Sequence, residues 1–377
     1  HWVIQSNEDH SAGVAKLASQ FAGEFGMSEW GKVLGLLHDK GKETDAFQQY
    51  IKKESGYAPD IKICGKHHHA YVGGILAQKY YGKSSYNLFV NQIVSHHTGL
   101  HDSDEIKEII NQEIPSEVNI YHTKEKLNRP EFNIQANDFH HLARMLFSCL
   151  VDADFLDTEA FMVRESYTLR QNKDALNDLL PLLENKLKEL KAKADSSEIN
   201  IIRNQIQQQC LKMADTPTGF YSLTVPTGGG KTLSSLVWAI KHALKNGQKR
   251  VIIAIPYTSI IVQTASVLRS IFGEENVLEH HSCVDPEQIK DEKLKEKMKL
   301  ATENWDYPII VTTNVQLFVS MFSNKPSACR KLHNIVNSVI ILDEVQTLPT
   351  DYLQPIVDSL KTYNKLFNVS FLFTTAS

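Results

Sequence analysis

The sequence predicts a two-domain protein, an all-α half at residues 1–195 followed by an α/β half at residues 196–377 built on a parallel sheet. Apolar residues recur at helical spacing almost without interruption from His10 to about Lys193, as in Val14, Leu17, Ala18, Phe21, Ala22 and Phe25. No convincing strand pattern interrupts them. Beyond residue 220, short apolar runs alternate with helical stretches, as strands buried in a parallel sheet do. Between the halves, Asn185 to Glu198 is polar and charged, ends in Asp195-Ser196-Ser197 and reads as a linker. A chain of 377 residues is too long for one ordinary core, so two domains are expected.

With 42% hydrophobic and 22% charged residues, the composition is that of a soluble globular protein. No apolar run is long enough to cross a bilayer and the N-terminus carries no basic-then-apolar signal, so no membrane and a cytoplasmic location are expected. Cys64, Cys149, Cys210, Cys283 and Cys329 have no paired spacing, which argues against a disulfide framework or a thiolate zinc site. A net charge of −4 gives no global basic footprint for nucleic acid, so any such binding rests on a local groove. The runs Lys186 to Lys193 and Lys290 to Lys299 mix lysines with acidic and apolar residues and read as solvated helix faces.

The helical half holds 12 of the 16 histidines. His10 precedes the first helix, and His38-Asp39 ends the apolar stretch Val33 to Leu37, followed by Lys40-Gly41-Lys42. His67-His68-His69 opens another helix, and His96-His97 ends the run Phe89 to Val94. Asp152-Ala153-Asp154 lies in the helix beginning near Leu142. Any one of these histidines has a bland reading as a surface or hydrogen-bonded core residue. Doublets and a triplet at helix ends, with carboxylates beside them, instead predict a site for first-row divalent metals.

After the linker, Ile199 to Met213 reads as a helix containing Arg203-Asn204-Gln205. Tyr221 to Val225 is apolar and β-prone, and helical spacing resumes at Leu233. Thr227-Gly228-Gly229-Gly230-Lys231-Thr232 is therefore a glycine loop between a strand and a helix. Its amides, the helix N-terminus, the Lys231 ammonium and the Thr232 hydroxyl form a cradle for ATP and Mg²⁺. The strict phosphate-loop spacing asks for glycine at Val225, so only the second half of that pattern fits.

Val251 to Ile255, Ile309 to Val311, Val339 to Leu342 and Phe371 to Phe373 are the further strands, with ligands expected at their carboxyl ends. Directly after the third of them, Asp343 is placed to hold Mg²⁺ through its water shell, and Glu344 to polarise the attacking water.

The shorter loop form Pro226 to Thr232 is common in helicases, and Asp343-Glu344-Val345-Gln346 resembles the Asp-Glu-x-His/Asp box of superfamily 2 helicases, departing at its last position. Ile255-Pro256-Tyr257-Thr258 with Gln263, His280-His281-Ser282, and Thr312-Thr313-Asn314 with Gln316 resemble the loops by which that family contacts the DNA backbone. Phe373 to Ser377 resembles its motif coupling hydrolysis to movement. Arg203-Asn204-Gln205 falls where helicases often carry an adenine-reading glutamine, although a solvated helix face explains it equally.

His10, His38-Asp39, His69-Ala70, His96-His97 and Asp154 resemble the HD superfamily of metal-dependent phosphohydrolases. More narrowly, Leu36 to Lys42 with Phe47-Gln48, and Leu150 to Glu159, resemble the CRISPR-associated nuclease/helicase of type I interference systems, a resemblance spanning the whole chain. It implies an HD nuclease domain, a first RecA-like lobe, and a metal pair of Mn, Fe, Co or Ni that cuts single-stranded DNA. His10, His38, Asp39 and Asp154 would hold one ion, and His69, His96 and His97 the other, with Asp39 able to bridge. Lys42 would face the scissile phosphate.

The triplet offers three candidates, of which His69 fits the family pattern because Ala70 and Gly73 follow. Asp152 and Asp154 lie about 200° apart on a helix, so only one can face the ions, and the Ala-Asp-aromatic pattern favours Asp154. The resemblance further implies ATP-driven 3′ to 5′ translocation and recruitment by an RNA-guided CRISPR surveillance complex. It also implies a second lobe that this sequence lacks, and hence little ATP turnover from these residues by themselves. Two alternatives stay open: an HD phosphohydrolase of small nucleotides with an ATP-binding regulatory lobe, and a nucleotide-gated scaffold with a structural metal.

Overall fold

A computed structural model of the chain describes residues 3–63, 68–82, 86–120, 124–127, 133–171, 173–226, 228–282, 289 and 291–376. Thr227, His67, Cys64, Cys283 and Ser377 lie outside them. The chain forms two compact units, one of His1–Tyr167 with Ser323–His333, the other of Thr168–Phe322 with Asn334–Ser377.

The first unit is helical, with no strand among its described residues: α1 (Asn7–Gly23), α2 (Ser28–Leu37), α3 (Asp45–Glu54), α4 (Ala70–Tyr81), α5 (Asn91–Ser95), α6 (Ser103–Ile110) and α7 (Phe139–Met162). The Ser6 hydroxyl accepts from the Asp9 amide at 2.9 Å and starts α1. α1 and α2 then pack backbone against backbone. A Cβ on Gly35 would stand 2.4 Å from the Ala15 nitrogen, and one on Gly31 would stand 2.2 Å from the Ala18 carbonyl. Only glycine permits that approach, and it brings the end of α2 up against α1. α7 runs behind both, burying Leu142, Leu146, Cys149, Leu150 and Ala153.

The second unit begins around α8 (Arg164–Gln171), which spans the division, and continues with α9 (Leu176–Lys193) and α10 (Glu198–Met213). Its six strands are β1 (Phe220–Val225), β2 (Arg250–Ile255), β3 (Val277–His280), β4 (Ile309–Thr313), β5 (Ser338–Leu342) and β6 (Ser370–Ala376). All described pairings are parallel, in the order β1-β6-β5-β2-β4-β3. The connecting helices are α11 (Lys231–Lys245), α12 (Thr258–Phe272), α13 (Glu292–Asn304), α14 (Asn314–Phe322) and α16 (Leu353–Phe367), with the short α15 (Pro326–Cys329) belonging to the first unit.

Central strands are buried on both faces. Ile253 and Ile341 join Leu236, Ile240 and Leu268 in one apolar cluster, while the alternate residues Ile252 and Ile340 pair in register and are fully buried. Burying this much aliphatic surface is the main force holding the lobe together.

The helical-then-α/β architecture agrees with the sequence reading, and three details differ. β3 has no counterpart among the expected strands. The expected linker Asn185 to Glu198 is mostly helix, because α9 continues to Lys193 and its Leu187 still packs on the lobe core, leaving only residues 194–197 between helices. α9 was placed with the first domain, yet its Leu176, Leu179 and Leu183 are buried in the cluster that covers the sheet. Periodicity identifies an apolar face but not the surface that receives it.

Candidate metal centre and nucleotide loop

In the first unit, close packing of α1, α2 and α7 delivers three elements to one point. His10 comes from α1, His38 caps the C-terminus of α2 with Asp39 next to it, and Asp154 comes from α7. From the other side come His69, capping the start of α4, and His96 and His97 after α5.

Asp39 is at the centre. Its Oδ2 lies 3.2 Å from His38 Nε2 and 3.5 Å from His10 Nε2. Its Oδ1 lies 3.2 Å from His69 Nε2 and 3.6 Å from His96 Nε2. Asp154 Oδ1 is 3.2 Å from His10 Nε2 and 3.9 Å from His38 Nε2. His69 and His97 face each other at 3.0 Å. The structure thus brings all seven expected ligands together.

The donor atoms fall into three overlapping groups, each within 4.8 Å: Asp39 with His69, His96 and His97; His10, His38 and Asp39; and His38, His96 and Asp154. His38 and Asp39 are fully buried and His96 is 2% exposed. The Nε2 atoms of His38 and His96 and Oδ1 of Asp39 are buried without a hydrogen-bond partner, while Asp39 Oδ2 pairs with the Lys42 ammonium. Buried polar atoms are ordinarily satisfied, so these three aimed at one point fit a cation.

The rings are also held in the right tautomer. His38 Nδ1 donates to the Gly35 carbonyl at 2.8 Å and His96 Nδ1 to the Ile93 carbonyl at 2.6 Å, leaving each Nε2 as a lone-pair donor. Imidazole and carboxylate oxygen together suit first-row divalent ions.

Burial disfavours a charged His10, but Asp154, Asp157 and Asp39 around it push its pKa up to about 11. Burial likewise works against ionised Asp39, yet the close imidazoles of His38, His10 and His69 hold its carboxyl well below the usual range. His97 moves the other way, to about 3, through burial and the neighbouring His96 and His69.

Asp152 and Asp154 separate as helix geometry requires. Asp154 faces the imidazoles, whereas Asp152 is fully buried, with Arg330 Nε and His333 Nε2 each 2.8 Å from its oxygens. Of the histidine triplet, His68 is exposed and His69 enters the centre. Lys42 Nζ lies 2.5 Å from Asp39 Oδ2, at the rim of the centre.

Sequence reasoning assigned no role to Asp157. Its Oδ2 accepts from His10 Nδ1 at 2.7 Å and from Gln5 Nε2 at 2.9 Å, orienting the His10 ring. The available signal was its spacing, three residues after Asp154 on the same helix face.

In the second unit, the glycine loop joins β1 to α11. Gly228 and Gly230 both have φ of 81°, a conformation closed to most side chains, and Gly230 is the N-cap of α11. Lys231 Nζ lies 2.7 Å from Asp343 Oδ1 and also bonds Glu344 Oε1. Burial lowers its pKa, but these two carboxylates outweigh that and raise it. Glu344 sits at φ 46°, a strained position for a non-glycine residue beside a reactive group. Thr374 Oγ1 donates to Asp343 Oδ1 at 2.5 Å. Thr232 is exposed at the mouth of the loop.

A cavity of about 480 Å³ opens beside Gly230, lined by Arg203, Asn204, Gln207 and Leu233 among others. Gln205, read as a possible adenine contact, is exposed on another face of α10 and does not line it. In the loops expected to meet DNA, Thr312 is buried and its hydroxyl donates to the His280 carbonyl at 2.7 Å. Thr313 instead caps α14, its Oγ1 accepting from the Gln316 amide at 2.9 Å.

Residues 7–131 match the HD domain family and residues 204–377 the DEAD/DEAH box helicase family. A protein assigned as CRISPR-associated nuclease/helicase Cas3 in Methanocaldococcus jannaschii is 36% identical over 137 residues, 33% of this chain and 18% of that one. The CRISPR-associated nuclease/helicase Cas3 of Haloferax volcanii is 27% identical over 184 residues, 44% of this chain and 20% of that one. The crystal structure of T. fusca Cas3 with AMPPNP superposes with a TM-score of 0.61 at 16% identity, covering 100% of this chain and 50% of that chain. A chain of a CRISPR RNA-guided surveillance complex in a pre-nicking state gives a TM-score of 0.54 at 14% identity, covering 100% of this chain and 47% of that one. The chain therefore spans about half the length of the solved chains it matches. In this chain an HD domain is thus followed by a DEAD/DEAH box helicase domain, and over part of its length the chain is similar to Cas3 nuclease/helicases.

Proposed function

We propose that this chain is the metal-dependent single-stranded DNA nuclease and part of the ATP-dependent 3′ to 5′ helicase of a CRISPR type I interference protein. The observation that carries the reading is the convergence of His10, His38, Asp39, His69, His96, His97 and Asp154 on one point around the buried Asp39, in a chain that also holds Lys231 between Asp343 and Glu344.

His10, His38, Asp39 and Asp154 would hold one divalent ion and His69, His96 and His97 a second, with Asp39 offering an oxygen to each. Bound there, such ions supply an activated water and charge stabilisation for phosphodiester cleavage. The protein's own part is orientation. The Gly35 and Ile93 carbonyls and the Asp157 carboxylate fix the rings of His38, His96 and His10, and burial keeps competing water from the donors. Lys42, at the rim, is positioned to meet a phosphate oxygen, exchanging its contact with Asp39 for one with substrate.

In the second unit, Lys231 would leave Asp343 and Glu344 to take the nucleotide phosphates, freeing Asp343 for the Mg²⁺ shell and Glu344 for the attacking water. Gly228 to Gly230 and Thr232 complete the phosphate cradle, with Thr227, outside the described residues, as a further candidate. The likeness to a chain of an RNA-guided surveillance complex supports such a complex as the partner.

The test is cleavage of circular single-stranded DNA without ATP, comparing the chain with Asp39→Ala. Cutting that requires Mn²⁺, Co²⁺ or Ni²⁺ and vanishes in the variant is expected. Absence of cutting with every metal, alongside release of nucleoside from small nucleotides, would replace this reading with the small-nucleotide phosphohydrolase.

A further inference from the structure

The chain between α14 and β5 does not stay with the lobe that precedes and follows it. Ser323–His333 is part of the first compact unit, and its contacts there fall on the elements that supply the metal-centre donors.

On α7, Arg330 Nε and His333 Nε2 each reach an oxygen of Asp152 at 2.8 Å. The His333 amide donates to Ser148 Oγ at 3.0 Å, and Arg144 Nε donates to the Ser323 carbonyl at 3.1 Å. The Arg330 guanidinium also lies 4.4 Å from the Phe155 ring centroid, next to Asp154 in sequence. Behind His97, the Leu100 amide donates to the Asn324 carbonyl at 2.9 Å, and Asn324 Nδ2 donates back to the Leu100 carbonyl at 3.2 Å. On α1, the His333 ring stacks on Phe21 at 4.1 Å. The segment thus grips the helix of Asp154, the loop of His96 and His97, and the helix of His10.

Asp152 makes this grip specific. It is fully buried two residues before Asp154, on the opposite side of the helix, so its bonds to Arg330 and His333 set the rotation of α7 about its own axis. That rotation decides where Asp154 points.

We infer that Ser323–His333 is a positioning strap for the metal centre, with Arg330, His333 and Asn324 as positioning residues that tune its affinity for divalent ions. This rests on the proposed assignment of the centre. Partners hydrogen-bonded to a ligand typically change metal affinity 10- to 100-fold, so residues that act one step further out are expected at the lower end of that range. Both ends of the strap continue by covalent connection into α14, which follows Thr312-Thr313-Asn314, and β5, which leads into Asp343 and Glu344. A pull on either end therefore has a path to the ligands that needs no further contact.

The experiment is Mn²⁺ binding to the whole chain without nucleotide, read by loss of the free-ion electron paramagnetic resonance signal, with Asp39→Ala assigning binding to the centre. Arg330→Lys keeps the charge but loses the guanidinium geometry. It is expected to raise the Kd for Mn²⁺ by about tenfold, while affinity for a fluorescent ATP analogue stays unchanged. Asn324→Ala, a milder change, moves the Kd in the same direction and decides the matter if Arg330→Lys does not fold. A residue that merely stabilised the fold would lower the melting temperature and leave the Kd alone. Unchanged Mn²⁺ affinity in the folded variants overturns the strap. A wild-type chain that binds no Mn²⁺ at Asp39 overturns the metal centre itself.

Discussion

Arg203 Nε donates to the Gly228 carbonyl at 2.8 Å, so α10 holds the phosphate loop by its backbone. The bond fixes a loop residue whose φ of 81° is otherwise easily lost to other glycine conformations. Arg203→Ala is expected to weaken nucleotide binding by about 1 kcal/mol, roughly fivefold in Kd, the usual worth of one hydrogen bond at a solvated site. Fluorescence anisotropy of a labelled ATP analogue reads the change. Equal affinities would mean that the loop is organised without Arg203.

Asp157 orients His10 without being placed among the ligands. Asp157→Asn keeps the size and one acceptor but loses the charge facing the His10 imidazole, and is expected to reduce divalent-metal affinity by about tenfold with little change in helicity. Isothermal titration with Mn²⁺ measures this. A tenfold loss in Asp157→Asn with full recovery in Asp157→Glu would identify the charge as the important property.

Cys149, Cys210 and Cys329 are all buried. Burial pushes the Cys210 thiol up to about 11 and that of Cys329 up to about 12, and Cys149 is raised by burial and by the nearby Asp152. Because the thiolate is the reactive form and each pKa lies above the ordinary value, the reactive fraction at pH 8 falls below that of a free thiol. Brief alkylation of the native protein at pH 8, followed by peptide mass spectrometry, should leave these three unmodified, and denaturation should expose them all. Native labelling of Cys329 would show that α15 opens readily.

Much of this was legible in the residues. β2 and β5 could be read because strands buried on both faces have continuous aliphatic sequence, Val251 to Ile255 and Val339 to Leu342. β3 could not, because it has only four residues and half of them are Glu279 and His280. The histidine doublets at helix ends announced a centre, helix geometry showed that only one of Asp152 and Asp154 could face it, and the family resemblance favoured Asp154. The partners of Asp152 were illegible, since nothing local connects it to Arg330 and His333, 178 and 181 residues further on. Gln205 was hard to place for a related reason: adjacent residues on α10 point in different directions, and the cavity beside Gly230 is lined by Asn204 and Gln207.

That sequence separation bears on how the protein is made. A ribosome releases the first unit's helices long before Arg330 and His333 exist, so the nascent N-terminal part carries the Asp152 carboxylate with neither of these partners. Contacts of such long range are slow to close. The last piece of the helical unit arrives after β4 and before β5, when most of the ATP-binding lobe's residues up to that point have already emerged. The order of translation thereby delays completion of the helical unit until most of the nucleotide-binding lobe described here has emerged.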